Sequence, residues 1–225
     1  ENFQNTTYRM APARGGTLFN VPSMRQMVER AFGEYKPSKF YINDNGNIRD
    51  PFRAIKNQFA NEKEFLLDQD RHTKALKKAL LKCDVFIFTL GLTEAWKFIG
   101  TNEYISVSPW KVDPLLIESE NISLTKNIEE LSKLITTYIK YKPDIKIILT
   151  LSPIPLNKTF DKKRHVVEAS NFSKSVLRCA IDAVEKKFPK VVSYFPAFET
   201  VMYGTEKPWD IDMRHVSNEA VKRVM

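Results

Sequence analysis

Cysteine is nearly absent: Cys83 and Cys179 are the only two in 225 residues. They make neither a disulfide framework nor the clustered spacing of a zinc site, and such scarcity fits a reducing, cytoplasmic setting. Long apolar runs are missing too. The longest, Val85–Leu90 and Ile145–Leu151 (the latter broken by Lys146), fall short of the ~18 residues that a membrane-spanning helix needs and fit buried strands instead. The first residues, ENFQNTTYRM, are polar and lack the apolar centre of a secretory leader. No membrane insertion is therefore expected. No segment repeats, and no low-complexity tract or linker divides the chain, so residues 1–225 read as a single domain.

Several chemical signatures are also absent. Without GxGxxG there is no dinucleotide fingerprint, and without GxxxxGK[ST] there is no phosphate-cradling P-loop. The lack of HExxH and of any Cys/His cluster removes the usual metal sites, and the lack of GxSxG removes the nucleophile elbow of the α/β-hydrolases. Neither a cofactor nor a metal is expected.

What is present is an ordinary globular composition, 43% hydrophobic and 28% charged. Thirty-five basic against 27 acidic residues leave a net charge of +8. A basic balance suits nucleic acid, anionic lipid or an acidic substrate. The lysines are scattered, however. Their densest cluster, Lys74, Lys77, Lys78 and Lys82, lies opposite Leu76, Leu80 and Leu81 on one helix and reads as a solvated face. No basic stretch is interleaved with aromatics, so a nucleic-acid partner is not expected.

Apolar spacing predicts a helix from Pro22 and Ser23 to Gly33, with Met24, Met27, Val28 and Phe32 on one stripe. Extended pieces follow at Lys39–Ile42, around an Asn-Asp-Asn-Gly turn at 43–46. A long helix runs from a cap at Asn61 to Lys82. DVFIFTLG, residues 84–91, reads as a central parallel strand buried on both faces. Residues 92–122, with Trp96 and Trp110, form a long connection, of a length that is usually functional or carries structure of its own. Then come a helix over 124–141, a strand over 145–153, a helix over 166–188, a strand over 191–196, a short helix over 197–203 and a last helix from Ser217. Strands alternating with helices predict an α/β/α three-layer fold with a parallel sheet. Ligands in such sheets sit beyond the carboxyl ends of the strands, here Thr89–Thr93, Leu151–Pro155 and Phe195–Pro196.

Three histidines are available for proton transfer near neutral pH: His72, His165 and His215. His72 lies in the long charged helix and reads as a surface residue; His165 precedes a helix and reads as a surface or capping residue. His215 ends Asp212-Met213-Arg214-His215 in a polar loop after the last strand. A carboxylate three residues before an imidazole can accept from its Nδ1–H across one turn, which leaves Nε2 to take a proton. Taken alone, D-x-x-H also fits a loop aspartate that caps a turn. Arg214 divides evenly between holding an anionic group and facing solvent. The tryptophans, Trp96, Trp110 and Trp209, read first as packing groups, with Trp209 the nearest to the D-x-x-H loop.

TLGLTEAW at 89–96, LTLSPIPLNKTF at 149–160, SNFSKSVLR at 170–178, YFPAFE at 194–199 and DMRHVS at 212–217 together resemble the GSCFA family, a branch of the SGNH (GDSL-like) hydrolases. GGTLFNVPSMRQMVERAFG at 15–33 resembles its early region, so the likeness runs in order over the whole chain. The resemblance implies a flavodoxin-like SGNH fold. It also implies a serine-dependent esterase or O-acyltransferase that acts on O-acyl groups, typically acetyl groups of a carbohydrate or polysaccharide. It assigns His215 as base and Asp212 as its orienting acid. Gly16 (with Gly15 as the alternative) and Thr93 become oxyanion donors, Thr93 standing where the superfamily has Asn. Glu94, Trp96 and Ser152 would line the same mouth. One departure is evident: the Gly-Ser-Cys-Phe-Ala stretch that carries the family's nucleophile is absent. The resemblance places it on a first strand upstream of Glu1. The alternatives are Ser152 as an internal nucleophile, or a non-catalytic carbohydrate-binding or assembly domain on the same fold.

Overall fold

The computed structural model describes residues 16–38, 42–53, 58–106 and 112–225. Gly15, Trp110 and most of the Lys39–Ile42 piece lie outside the described residues.

Helix α1, Val21–Phe32, starts where the Asn20 side chain accepts from the Ser23 amide at 2.9 Å and stops at Gly33, whose φ of 82° only glycine adopts without strain. The hairpin β1, Ile42–Asp44, and β2, Asn47–Arg49, turns through Asn45 and Gly46, both at positive φ, as a two-residue Asn-Gly connection requires. Helix α2, Glu62–Lys82, is capped by Asn61 as its sequence predicts. Its lysines 74, 77, 78 and 82 are exposed, while Leu76 and Leu80 are buried. Leu81 is exposed as well. His72 is half-buried in this helix rather than at its surface.

Strand β3, Val85–Leu90, pairs in parallel with β7, Lys146–Leu151, and β7 with β8, Val192–Phe195, in the order β3-β7-β8. Helices α3, Leu124–Tyr141, and α4, Val166–Lys187, join these strands. Phe88, Leu90, Ile147, Leu149, Leu151 and Val192 meet buried side chains of α1, α2, α3 and α4 in one core. Fully burying each such aliphatic side chain is worth about 1.5–3 kcal/mol. This is a mixed α/β chain with a three-stranded parallel sheet flanked by helices, as a three-layer α/β/α fold has it. One expectation is corrected. Among the described residues β3 is not central and not buried on both faces. It lies at the edge of the sheet, and its alternate residues Val85 and Ile87 are about half exposed (48% and 52%) because no described helix covers that side. The central strand is β7.

The connection 92–122 carries structure of its own. It forms a second, antiparallel sheet from β4, Glu94–Phe98, β5, Tyr104–Ile105, and β6, Ile117–Asn121. Phe98, Ile105, Val112 and Ile117 pack there on Phe52, with Trp96 against the cluster. The Gln26 side chain clamps this sheet to α1, donating to the Tyr104 carbonyl at 2.9 Å and accepting from its amide at 2.7 Å. Beneath it, the fully buried Asp50 carboxylate accepts from Arg53 at 3.0 Å and faces Arg30 at 3.5 Å. Helices α5, Ala197–Gly204, and α6, Asn218–Val224, complete the described chain. Among the described residues no helix is long and apolar enough to cross a membrane.

Candidate active site

A cavity of about 770 Å³ opens beyond the carboxyl ends of β3 and β7, where a parallel sheet places its ligands. Its floor is set by backbone. The Phe19 carbonyl accepts from the amides of Gly91 and Leu92 at 3.3 and 3.0 Å, so the segment before α1 lies directly across the end of β3. A Cβ at Gly91 would stand 3.0 Å from that carbonyl, which is why the strand ends in glycine. Ser152, at the end of β7, donates its amide to Leu90 at 2.9 Å, and its hydroxyl accepts from the Ile154 amide at 3.3 Å. The loop from Ser152 to Phe160 forms one wall.

Glu94 and Trp96 of β4 both line this cavity. The buried Glu94 carboxylate accepts from the Thr159 hydroxyl and, at 3.1 Å, from the Phe160 amide; the Trp96 ring meets Phe160 edge-on at 5.5 Å. The two therefore fasten the 152–160 loop over the second sheet. Thr93 is placed differently. It is fully buried behind the wall, and its hydroxyl is committed to Asn121 Oδ1 at 2.7 Å and Ser173 Oγ at 2.9 Å. No free hydroxyl hydrogen is left for an oxyanion, so the donor role expected of this side chain is closed to it here. Gly16 has a left-handed backbone (φ 75°), is exposed, and precedes the lining residue Thr17.

The loop before α6 is tightly turned. Trp209 bridges Val216, the Asp210 amide donates to the His215 carbonyl at 2.8 Å, and Met213 takes a φ of 55°. This geometry brings Asp212 and His215 together: His215 Nδ1 and Asp212 Oδ2 are 2.5 Å apart. Asp212 Oδ1 accepts from the amides of His215 at 2.9 Å and Arg214 at 3.0 Å. The His215 amide first, then its ring and the Arg214 amide, hold the Asp212 carboxyl at about 2. The imidazole thus has a permanent anion at Nδ1, and its Nε2 edge has no partner among the described residues. Of this loop only Arg214 lines the cavity. Asp212 and His215 are exposed beside it, with side-chain exposures of 45% and 59%.

Lys174 is a lining residue that no sequence motif marks. It projects from α4 at only 6% exposure and donates to the Gly91 carbonyl at 2.6 Å. Loss of water pushes its ammonium down to about 8, and no carboxylate among the described residues pairs with it. A subtler signal was present. Ser170, Ser173 and Lys174 share the buried stripe that Leu177, Ile181 and Val184 continue, so the first half of an apolar face is polar. Ser106, also without a motif, lines the cavity with a buried hydroxyl that has no partner among the described residues. His165 caps α4, its Nδ1 accepting from the Val167 amide at 3.3 Å. Among the described residues no three His, Cys, Asp or Glu side chains converge to hold a metal ion.

Fold and site together define an α/β protein with a strand-end cavity and a carboxylate–imidazole pair beside it. The chain belongs to the GSCFA family, whose pattern it matches over residues 1–225. No curated protein matches it, and no solved structure does.

Proposed function

We propose that this protein is a serine-dependent esterase or O-acyltransferase of the SGNH kind, acting on O-acyl groups, with acetyl esters of a carbohydrate or polysaccharide as the substrate class. The observation that carries the reading is the Asp212–His215 pair, 2.5 Å apart in a loop whose Arg214 enters the strand-end cavity. Asp212 fixes the ring with Nδ1 toward the carboxylate and favours the imidazolium, so Nε2 is the atom that accepts the proton of an attacking serine. The serine oxygen then bonds to the ester carbonyl carbon. The resulting alkoxide collapses, the sugar oxygen leaves with the proton from Nε2, and an acyl-enzyme remains. Water or a second hydroxyl, deprotonated by the same nitrogen, releases the acyl group. The Gly91, Leu92 and Ser152 amides and the Thr93 hydroxyl are already committed, so the oxyanion donor is left to the segment before α1, where the family resemblance puts Gly16.

The test is p-nitrophenyl acetate turnover by the protein and by its His215→Ala, Ser152→Ala and Ser106→Ala variants. General-base catalysis contributes about 10²–10⁴-fold, and His215→Ala is expected to lose that much in kcat/KM. Loss of activity in Ser152→Ala or Ser106→Ala alone would make that cavity-lining serine the nucleophile. Full activity of His215→Ala refutes the reading. Binding of acetylated sugars without turnover of any of them replaces it with the carbohydrate-binding domain.

A further inference from the structure

The strand-end cavity is charged in a one-sided way. Lys158, Lys174 and Arg214 line it, against a single carboxylate, Glu94, whose two oxygens are taken by Thr159 and the Phe160 amide. Lys174 is more than nine-tenths buried and uses one of its three N–H groups, on the Gly91 carbonyl. The Arg214 Nε is buried and has no hydrogen-bond partner among the described residues. A buried donor without an acceptor weakens the fold, and a buried charge without a countercharge does so more strongly. Two cations left short of acceptors around one cavity are a cost that a bound anion removes.

We infer that the cavity takes a substrate that carries a carboxylate or phosphate group, held between the Lys174 ammonium and the Arg214 guanidinium. The inference rests on the esterase reading only for the acyl ester, and it narrows the substrate to an anionic O-acyl compound such as an acidic or phosphorylated sugar. Arg supplies the forked N–H pair that fits an oxyanion, and Lys supplies a point charge. The unneutralised Lys174 adds a diagnostic. Near pH 8 part of its population has lost its proton, and an anion beside it draws the proton back. The other charged liners are Glu94, Lys158 and Arg214.

The experiment is calorimetric titration of the full-length protein with succinate and, separately, with inorganic phosphate. Both are run at pH 8 in two buffers of different ionisation heat. Wild type is expected to bind one or both anions. Succinate is fully ionised at pH 8, so its apparent enthalpy should depend on buffer there, from proton uptake by Lys174. Lys174→Gln and Arg214→Gln are each expected to weaken binding at least tenfold, and the surface variant Lys186→Gln to leave it unchanged. The arm that binds more tightly distinguishes a carboxylate from a phosphate. Turnover adds a second readout: the acetyl ester of 4-hydroxy-3-nitrobenzoate, whose carboxylate sits on the alcohol side as in an acidic sugar, is preferred over o-nitrophenyl acetate in kcat/KM, and Lys174→Gln removes the preference. No binding of either anion by wild type overturns the inference, whatever the variants do, and so does binding that Lys186→Gln weakens as much as Lys174→Gln. Anion binding without ester turnover keeps the site and removes the esterase reading. Turnover of the acetate ester without anion binding does the reverse.

Discussion

Lys174→Met isolates what it costs to keep a cation in the cavity wall. The ammonium titrates at about 8 in the folded chain against 10.5 for the free side chain, and burial is the cause. A lysine with a lowered folded pKa weighs on the fold while both states are protonated, below the folded value, and that cost disappears as the pH rises to the unfolded value. Lys174 therefore contributes increasing stability from pH 7 to pH 10, because its unfolded form holds more protons than its folded form across that window. A tenfold change in proton affinity is worth about 1.36 kcal/mol, so the gain from this one group is about 2.5 kcal/mol between pH 7 and pH 10. Methionine has a similar length and nothing to titrate. Every other group, including the tyrosines pushed upward by burial, titrates alike in both proteins and cancels in the difference.

Urea unfolding of both proteins at pH 7, 8, 9 and 10, followed by far-ultraviolet circular dichroism, measures that difference. The methionine variant should be the more stable at pH 7, and its advantage should shrink by about 2.5 kcal/mol by pH 10. Losing the bond to the Gly91 carbonyl costs about 1–3 kcal/mol, an offset that leaves the slope untouched. Parallel stabilities over the whole range would mean that water in the cavity solvates the ammonium fully, and the reasoning from burial would be wrong.

Two further substitutions test the frame around the cavity. Asp50→Asn leaves Arg30 and Arg53 with reduced countercharge beneath the second sheet, and should cost about 3–5 kcal/mol in urea unfolding. Thr93→Val strips a fully buried hydroxyl from Asn121 and Ser173. It should cost about 1–3 kcal/mol of stability, whereas an oxyanion donor would cost about 10²–10³ in kcat, so paired unfolding and turnover measurements on the full-length protein separate the two roles.

Helix positions were legible because their signals are local. Asn61, Ser123 and Ser217 each accept from an amide three residues on, and Gly33 closes α1, as capping chemistry predicts from the letters alone. The D-x-x-H pair was legible for the same reason: three residues and one turn decide it. β3 was misread because sheet order is not local. VFIFTL is apolar enough for burial on both faces, and its open face follows from which distant helices pack on the sheet: among the described residues none covers Val85 and Ile87. The second sheet escaped because its strands are two to five residues long and are held by Gln26, far away in sequence.

Thr93 and Lys174 show how the two kinds of information combine. Both are polar, and both stand where strand-end chemistry is sought, yet the sequence cannot say which side chain turns into the cavity and which turns behind it. Partners decide. Thr93 finds two buried partners in Asn121 and Ser173 and becomes part of the frame. Lys174, one residue beyond Ser173 on α4, points past that frame to the Gly91 carbonyl and finds no anion. A helix turns about 100° per residue, so neighbours on one buried stripe can face a sealed contact and an open cavity in turn. A polar stretch within an otherwise apolar helical stripe is therefore a mark of a nearby site. Within that stretch, the residue whose charge the fold leaves unanswered is the one with capacity left for a ligand.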